Sequence, residues 1–455
     1  MTGTFVSIMD SFIVNVAVPS IRSDLNASFA QVELAVAGYV LAYGLLLVTG
    51  GRLGDIFGYK RLFVSGVVVF TAASLACGLA PDPSTLIMAR VLQAAGAAMF
   101  YPQVLSIMQT SFADETKVKA FAIFGATIGV ASIAGQLVGG ILVSADIFGL
   151  SWRPIFLINL PIGLLTLIGA LAFLPSVRGT ERPKLDLRGV VLLSSALLLF
   201  TIPLVEGHTS GWPLWLWVVL AASVPAFALF VFWERRVSRS GGNPLIPPGL
   251  LRLPTFATGN ILALAFFAGN AGLFFILTLY LQNGLGYSPL IAGLTFTPLA
   301  ATFVVASLTA PRMQKRRGLR VLTLGYAVNA LGTAALLGSV IAFGTDVNAW
   351  ILVPSLATIG FGEGLGVSPL FGAVLKDVPE REAGAASGVV ETTTQIGMSL
   401  GVALVGLVFL TVLGTAEGLA IHTSAFTLAL VVNLVLALAA VMLMPLVLRA
   451  RTAPA

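Results

Sequence analysis

Asp10, Arg90, Glu363 and Glu391 are ionisable residues set inside apolar runs long enough to cross a bilayer. A charge at the bilayer centre costs roughly 2.5–3.5 kcal/mol on insertion scales, so each needs a partner or a wet cavity and each is a candidate for proton coupling or substrate contact. Around Glu391 the chemistry is patterned: Thr394, Gln395 and Met398 follow it at i+3, i+4 and i+7, which puts all four on one helix face. Glu363 is embedded in GFGEGLG (360–366), whose glycines permit close backbone approach. The plainer readings are structural. Asp10 could brace the start of its helix, Arg90 could pair with a carboxylate, and either glutamate could sit nearer an interface. Glu33, Glu206 and Glu234 stand at the ends of apolar runs and read as solvated.

Other chemistries find little support. Cys77 is the only cysteine, so it can form no disulfide within the chain and no thiolate metal cluster, and it reads as a packed helix residue. His208 and His422 are far apart and have no second ligand at metal spacing. No Ser/His/Asp set suggests an enzyme. No G-x-x-x-x-G-K-[ST] loop could hold a nucleotide. No cofactor is expected, and an ion gradient must drive any transport. A proton moving down about 100 mV yields about 2.3 kcal/mol, enough to sustain roughly a fiftyfold gradient of a neutral solute.

The elements that carry these residues are membrane spans. The chain is 57% hydrophobic and 10% charged, with mean hydropathy +0.99, a balance that leaves a soluble fold of 455 residues too few polar groups to cover its surface. About fourteen apolar runs are predicted as helices near 4–22, 31–51, 62–80, 85–109, 118–143, 153–174, 187–206, 215–233, 255–281, 289–311, 320–342, 349–375, 384–412 and 425–449. All but Arg22, Arg90 and Arg153 of the 25 Lys and Arg residues fall in alternate gaps between runs. Lys and Arg mark cytoplasmic loops, so both termini are expected in the cytoplasm. The same spread of basic residues argues against nucleic-acid binding. The first run has polar residues at Asp10 and Asn15 and lacks a basic leader, so it reads as a transmembrane helix rather than a signal peptide, and the start codon could lie upstream.

The longest loop, from Glu234 to Pro254, divides the runs into a front and a back part. GRLGDIFGYKRLF (51–63) has a counterpart in APRMQKRRGLRVL (310–322), aligning Gly58 with Gly318 and Lys60 with Arg320. Repeats of this kind build two halves that rock about a central site. The expected partition is a six-helix bundle over 1–174, two linking helices over 175–254, and a second six-helix bundle over 255–455.

MDSFIVNVAVP (9–19), GRLGDIFGYKRLF (51–63), LIMARVLQAAGAAMFYP (86–102) and GVASIAGQLVGG (129–140) together resemble the major facilitator superfamily, in its drug:proton antiporter branch with fourteen transmembrane segments. SWRPIFLINLPIG (151–163), NPLIPPGLLRLPTF (243–256) and YLQNGLGYSPLIAGL (280–294) extend the likeness along the chain. The resemblance implies an all-α polytopic fold of two six-helix bundles with two additional central helices. It also implies that Asp10, Arg90, Glu363 and Glu391 face a central cavity.

Gly51, Asp55, Gly58 and Lys60 would belong to a cytoplasmic latch that governs conformational switching. Gly135, Gln136, Gly139 and Gly140 would form the close helix contact of the antiporter motif, with Gln136 where proline is usual. The implied activity is proton-coupled export of hydrophobic, cationic or zwitterionic drugs across the plasma membrane by a monomer, with Glu391 and Asp10 as proton carriers and Arg90 tuning a carboxylate. A uniporter or proton symporter of a small metabolite is the rival reading, which Gln136 favours.

Overall fold

The computed structural model describes residues 1–175, 185–414 and 418–450. Arg178, Arg182, Lys184 and Arg451, and the side chains of Gln136, His208, Glu33 and Arg449, lie outside the described residues. Every regular element among the described residues is helical. That follows from the solvent: in lipid each backbone N–H and C=O must be paired within its own segment.

The fourteen long helices among the described residues are α1 (Thr2–Asp24), α2 (Phe29–Phe57), α3 (Tyr59–Gly78), α4 (Pro83–Ser111), α5 (Asp114–Ala145), α6 (Asn159–Phe173) and α7 (Leu187–Ser210), followed by α8 (Leu214–Arg239), α9 (Pro254–Leu279), α10 (Thr297–Arg317), α11 (Arg320–Phe343), α12 (Ala349–Val374), α13 (Ala383–Leu413) and α14 (Leu419–Ala450). Among the described residues thirteen spans are long and apolar enough to cross a membrane, and α1, bent by 64° between residues 2–14 and 17–24, makes the fourteenth. Pro19 explains the bend, because its ring and missing N–H exclude the bond to the carbonyl of residue 15. This is a multi-pass membrane protein.

Local signals set the helix ends. Ser28 and Gln31 form a reciprocal capping box at the start of α2, and the Asp82 side chain accepts from the Thr85 N–H ahead of α4. The stretch 51–63, expected as a loop, is almost wholly helical: α2 runs to Phe57 and α3 begins at Tyr59. Gly58 alone makes the turn, with φ of 92°, a conformation an L side chain resists. Gly318 does the same at φ 59° between α10 and α11, so the two aligned loops share a device as well as a sequence.

Packing repeats in the same way. In the front half α1 packs on α5, α2 on α4, and α3 on both α4 and α6. In the back half α9 packs on α13, α10 on α12, and α11 on both α12 and α14. The halves meet along two seams, α2 with α13 and α5 with α10. Helix α7 lies against α2 and α13, and α8 packs mainly on α7. Glu234, expected to be solvated, is instead buried near the end of α8, because the following loop folds back and the Ile246 N–H donates to its carboxylate at 2.9 Å.

Candidate functional site

Asp10 and Arg90 are brought together inside the front bundle. Arg90 Nη1 donates to Asp10 Oδ2 at 2.6 Å, and both side chains are fully enclosed. The other carboxylate oxygen accepts from Gln93 Nε2 at 2.8 Å and Asn159 Nδ2 at 2.7 Å. Arg90 also donates to Gln93 Oε1 and the Ala35 carbonyl, and its guanidinium lies 4.0 Å over the Tyr39 ring. Ser74 on α3 accepts from Gln93 at 2.7 Å. Five helices thus meet at one ion pair whose hydrogen-bonding capacity is nearly filled, the condition under which a buried pair is tolerated. Gln93 and Asn159 belong to quoted motifs, but neutral amides on separate helices gave no signal of meeting.

Asp55 sits on the seam between the halves. Its carboxylate accepts from the backbone N–H groups of Gly384 at 2.8 Å and Ala385 at 2.9 Å, which open α13, and from the Tyr59 hydroxyl at 3.0 Å. Arg52 lies 3.4 Å away. An anion at a helix N-terminus gains from unpaired amides and from the helix dipole. Backbones touch beside it: a methyl on Gly51 would run into the Gly384 carbonyl, and one on Gly388 would press on the backbone of Leu47 and Val48. Beside this seam α4 also bridges the halves: Ser106 donates to the Ala383 carbonyl at 3.3 Å and Gln109 to the Leu375 carbonyl at 2.6 Å.

The glycine pattern of α5 is echoed in α13. On α5, Gly125 and Gly129 meet Ser368, Ser307 and Phe303 of the back half, while Gly135 and Gly139 lie against Met9, Phe12 and Ile13 of α1. On α13, Gly384 and Gly388 meet α2, while Gly397 and Gly401 lie on Leu264 and Ala268 of α9. The sequence reading missed this second set, although i, i+4 spacing of small residues announces it. Gly140 departs from expectation, since nothing lies within 4 Å of where its side chain would be. Lys60 also lies off the seam: its ammonium caps the carbonyls of Leu171 and Leu174 at the end of α6, at 3.0 and 2.7 Å.

Glu391 is buried on α13, and its Oε1 has no hydrogen-bond partner among the described residues. It lies between Gly388 and Gln395 on the α13 face that packs on α2, the helix that carries Tyr43. Tyr43 belongs to a chain of aromatic contacts that crosses from one half to the other, Tyr39–Tyr43–Tyr101–Phe124 in front and Phe371–Phe267–Phe266–Tyr326 behind, with centroids 5.1–6.2 Å apart. Gln395, one turn on, lies beside Gly44 of α2. Glu363 is apart from this group, inside the back bundle, where Asn270 Nδ2 donates to it at 2.6 Å.

The chain matches the Major Facilitator Superfamily over residues 1–402. It belongs to that family. Among curated relatives of this superfamily, "Probable actinorhodin transporter" of Streptomyces coelicolor is 42% identical over 409 residues, covering 90% of this chain and 71% of that protein. A cephamycin export protein of Amycolatopsis lactamdurans is 38% identical over 429 residues, 91% and 84% of the two chains. A puromycin resistance protein of Streptomyces alboniger is 37% identical over 409 residues, 88% and 78%. Two solved structures share the major facilitator fold at 13% identity: a proton:xylose symporter, with TM-score 0.64 and 95% and 92% of the chains covered, and a human organic anion transporter, with TM-score 0.65 and 97% of each.

Proposed function

We propose that this major facilitator protein exports hydrophobic, cationic or zwitterionic antibiotics from the cytoplasm across the plasma membrane in exchange for protons, acting as a monomeric transporter and not as an enzyme. The observation that carries the reading is Glu391, a buried carboxylate whose Oε1 has no partner among the described residues, on the α13 face that packs against α2, the helix of Tyr43; the first residues of α13 hold the Asp55 latch. A cation on aromatic faces gains about 0.5–2 kcal/mol, and flat rings stack on the same faces. A proton and a cationic substrate compete for the one carboxylate, which is what exchange requires. The antibiotics in the relatives' names support an antibiotic as the exported substrate.

In this reading residues 1–174 and 255–455 are the two rocking bundles, with 175–254 linking them, and both termini are cytoplasmic because the basic loops are. The seam at Asp55, Gly51 and Gly58 is the cytoplasmic gate, shut in this state. Gly135 and Gly139 hold α5 on α1 while the gate works. Asp10 and Arg90 brace the front bundle, and Gln395 lies along the substrate path on the face of Glu391. Expression in cells stripped of their own pumps tests the function. Resistance to planar antibiotics and uncoupler-sensitive efflux of ethidium are expected, and both are expected to fall in Tyr101→Ala. Wild-type protein that inserts but moves none of a broad drug panel would contradict the proposal.

A further inference from the structure

The two seams between the halves are covered differently. Helix α7 lies against both α2 and α13 and shields that seam. Along the other seam, α12 is the only long helix among the described residues that packs on both α5 and α10. It takes one flank: Gly360 and Gly364 meet Leu299 and Phe303 of α10, and Phe371 packs on Phe124 of α5 at 5.6 Å between centroids. The other flank is bare. At 100° per residue Lys119, Ile123 and Val130 stand roughly 120–160° from Gly125, and Ala301, Val305, Leu308 and Arg312 stand roughly 100–160° from Ser307, turned away from Phe124 and Leu299. All seven are exposed, and because the helices are antiparallel the two stripes border one groove. The short helix Pro289–Thr295 touches α5 and α10 toward the start of α10, which leaves the half nearer Arg317 open.

Each stripe is apolar along the membrane and ends in a cation on the side that the orientation proposed above makes cytoplasmic. Gly125 facing Ser307 and Gly129 facing Phe303 fix the register. Six residues further, Lys119 falls level with Met313, one residue from Arg312, so the two cations flank the groove at the same depth, roughly 9 Å beyond the Gly125 crossing. Lys117 on α5 and Lys315, Arg316 and Arg317 on α10 stand nearby, and Asp114 and Glu115 at the start of α5 offset two of the six charges. Lys119, Arg312, Lys315, Arg316 and Arg317 make no ion pair among the described residues. Like charges facing across a seam push it apart, and an anion between them reverses the sign. A phosphate fits: the guanidinium offers a planar fork and the ammonium a point charge. The apolar groove running from it into the bilayer suits an acyl chain, which a soluble anion lacks.

We propose that one anionic phospholipid of the cytoplasmic leaflet binds this groove, its phosphate between Lys119 and Arg312 and an acyl chain along Ile123, Val305 and Leu308, and that it clamps the α5–α10 seam shut as α7 shields the α2–α13 seam. The clamp rests on the reading of these seams as a gate; the binding does not. Phosphatidylglycerol retained by purified protein in detergent is counted by native mass spectrometry across a lipid titration, with phosphatidylcholine and glycerol phosphate as the competing probes. The proteins are wild type, Lys119→Gln/Arg312→Gln, Leu308→Trp, and Arg236→Gln/Arg239→Gln as a control for basic residues at another helix end.

Wild type should hold one saturable phosphatidylglycerol that neither probe displaces. Lys119→Gln/Arg312→Gln should weaken it about thirtyfold, about fivefold or 1 kcal/mol for each cation. Leu308→Trp keeps the charge, displaces one or two methylenes of the chain and should weaken binding about four- to fifteenfold, which keeps the test open if the double variant fails to insert. Equal affinity in wild type and both groove variants, or an equal loss in the control, would overturn the site. Displacement by glycerol phosphate would make it an anion site and overturn the lipid. For the clamp, the alkylation rate of Ser106→Cys in a Cys77→Ala background should fall about tenfold at ten times the lipid Kd, and not in Lys119→Gln/Arg312→Gln. A rate indifferent to bound lipid would overturn the clamp. Wild type that binds the lipid but exports no drug would contradict the transporter reading and leave the site standing.

Discussion

Replacing Asp55 by Asn should unlatch the seam between α2 and α13 without unfolding either bundle. Both Asp55 oxygens accept from α13, one from the Gly384 N–H and the other from the Ala385 N–H. An amide keeps one acceptor and turns an N–H toward the other amide. The loss is one hydrogen bond to a charged group, about 1.5–3 kcal/mol, with a charge–dipole contribution of about 0.3–1 kcal/mol beside it. The closed state should therefore lose roughly 2–4 kcal/mol against the open one, a shift of about 30- to 700-fold in their ratio. Ser106 reports this directly, because it is buried behind the latch against Ala383 and Ser387. In a Cys77→Ala background, the alkylation rate of Ser106→Cys in purified protein should rise with Asp55→Asn until the open state dominates. Drug binding should survive while turnover slows. An alkylation rate within about twofold of the parent would refute the latch, since a population shift of that size could not go unseen.

Arg90→Ala leaves the Asp10 carboxylate enclosed without its cation, and should lower stability by about 3–5 kcal/mol in unfolding experiments, with Asp10→Asn in the same chain restoring part of the loss; an unaltered unfolding midpoint would contradict the bracing role. Gly139→Ala drives a methyl against Ile13, with the nearest atoms at 2.9 and 3.0 Å, and should cost about 1–3 kcal/mol. Gly140→Ala meets nothing and should stay within about 0.5 kcal/mol of the parent, so equal effects of the two would discredit the α1–α5 contact. Cysteines introduced at 238 and 316 should react with impermeant reagent only from the cytoplasm; labelling of either from outside intact cells would invert the proposed orientation.

Most of the fold was legible because lipid narrows the choices: long apolar runs must be helices, and basic residues in alternate gaps order them. The four intramembrane charges stood out for the same reason. Their partners did not. Asp10 and Arg90 are 80 residues apart and find each other only through the packing of α1 on α4. Asn270, Asn433 and Asn159 carry no charge, and one neutral amide in an apolar run looks like any other until the bundle closes around it. The Gly384 and Gly388 contacts lie in GAASGVV (384–390), which reads as an ordinary small-residue stretch until Asp55 is placed at its N-terminus. Lys60 was assigned to the latch from its neighbours in sequence, yet helical geometry turns it toward α6. Glu234 was misjudged because its partner, the Ile246 N–H, comes from a loop whose path depends on tertiary packing.

Proton exchange at Glu391 is the centre of the account, and reconstituted protein tests it most directly. Glu391→Gln keeps the shape of the side chain and fixes it neutral, so the variant should insert and fold as the parent does. In proteoliposomes with an imposed pH gradient, drug efflux driven by that gradient should collapse in Glu391→Gln. Affinity for a neutral substrate, measured from about pH 5.5 to about pH 8.5, should lose its dependence on pH because the competing protonation is gone. A cationic substrate should also bind more weakly. Gradient-driven efflux at the wild-type rate with an unchanged pH profile would contradict the assignment.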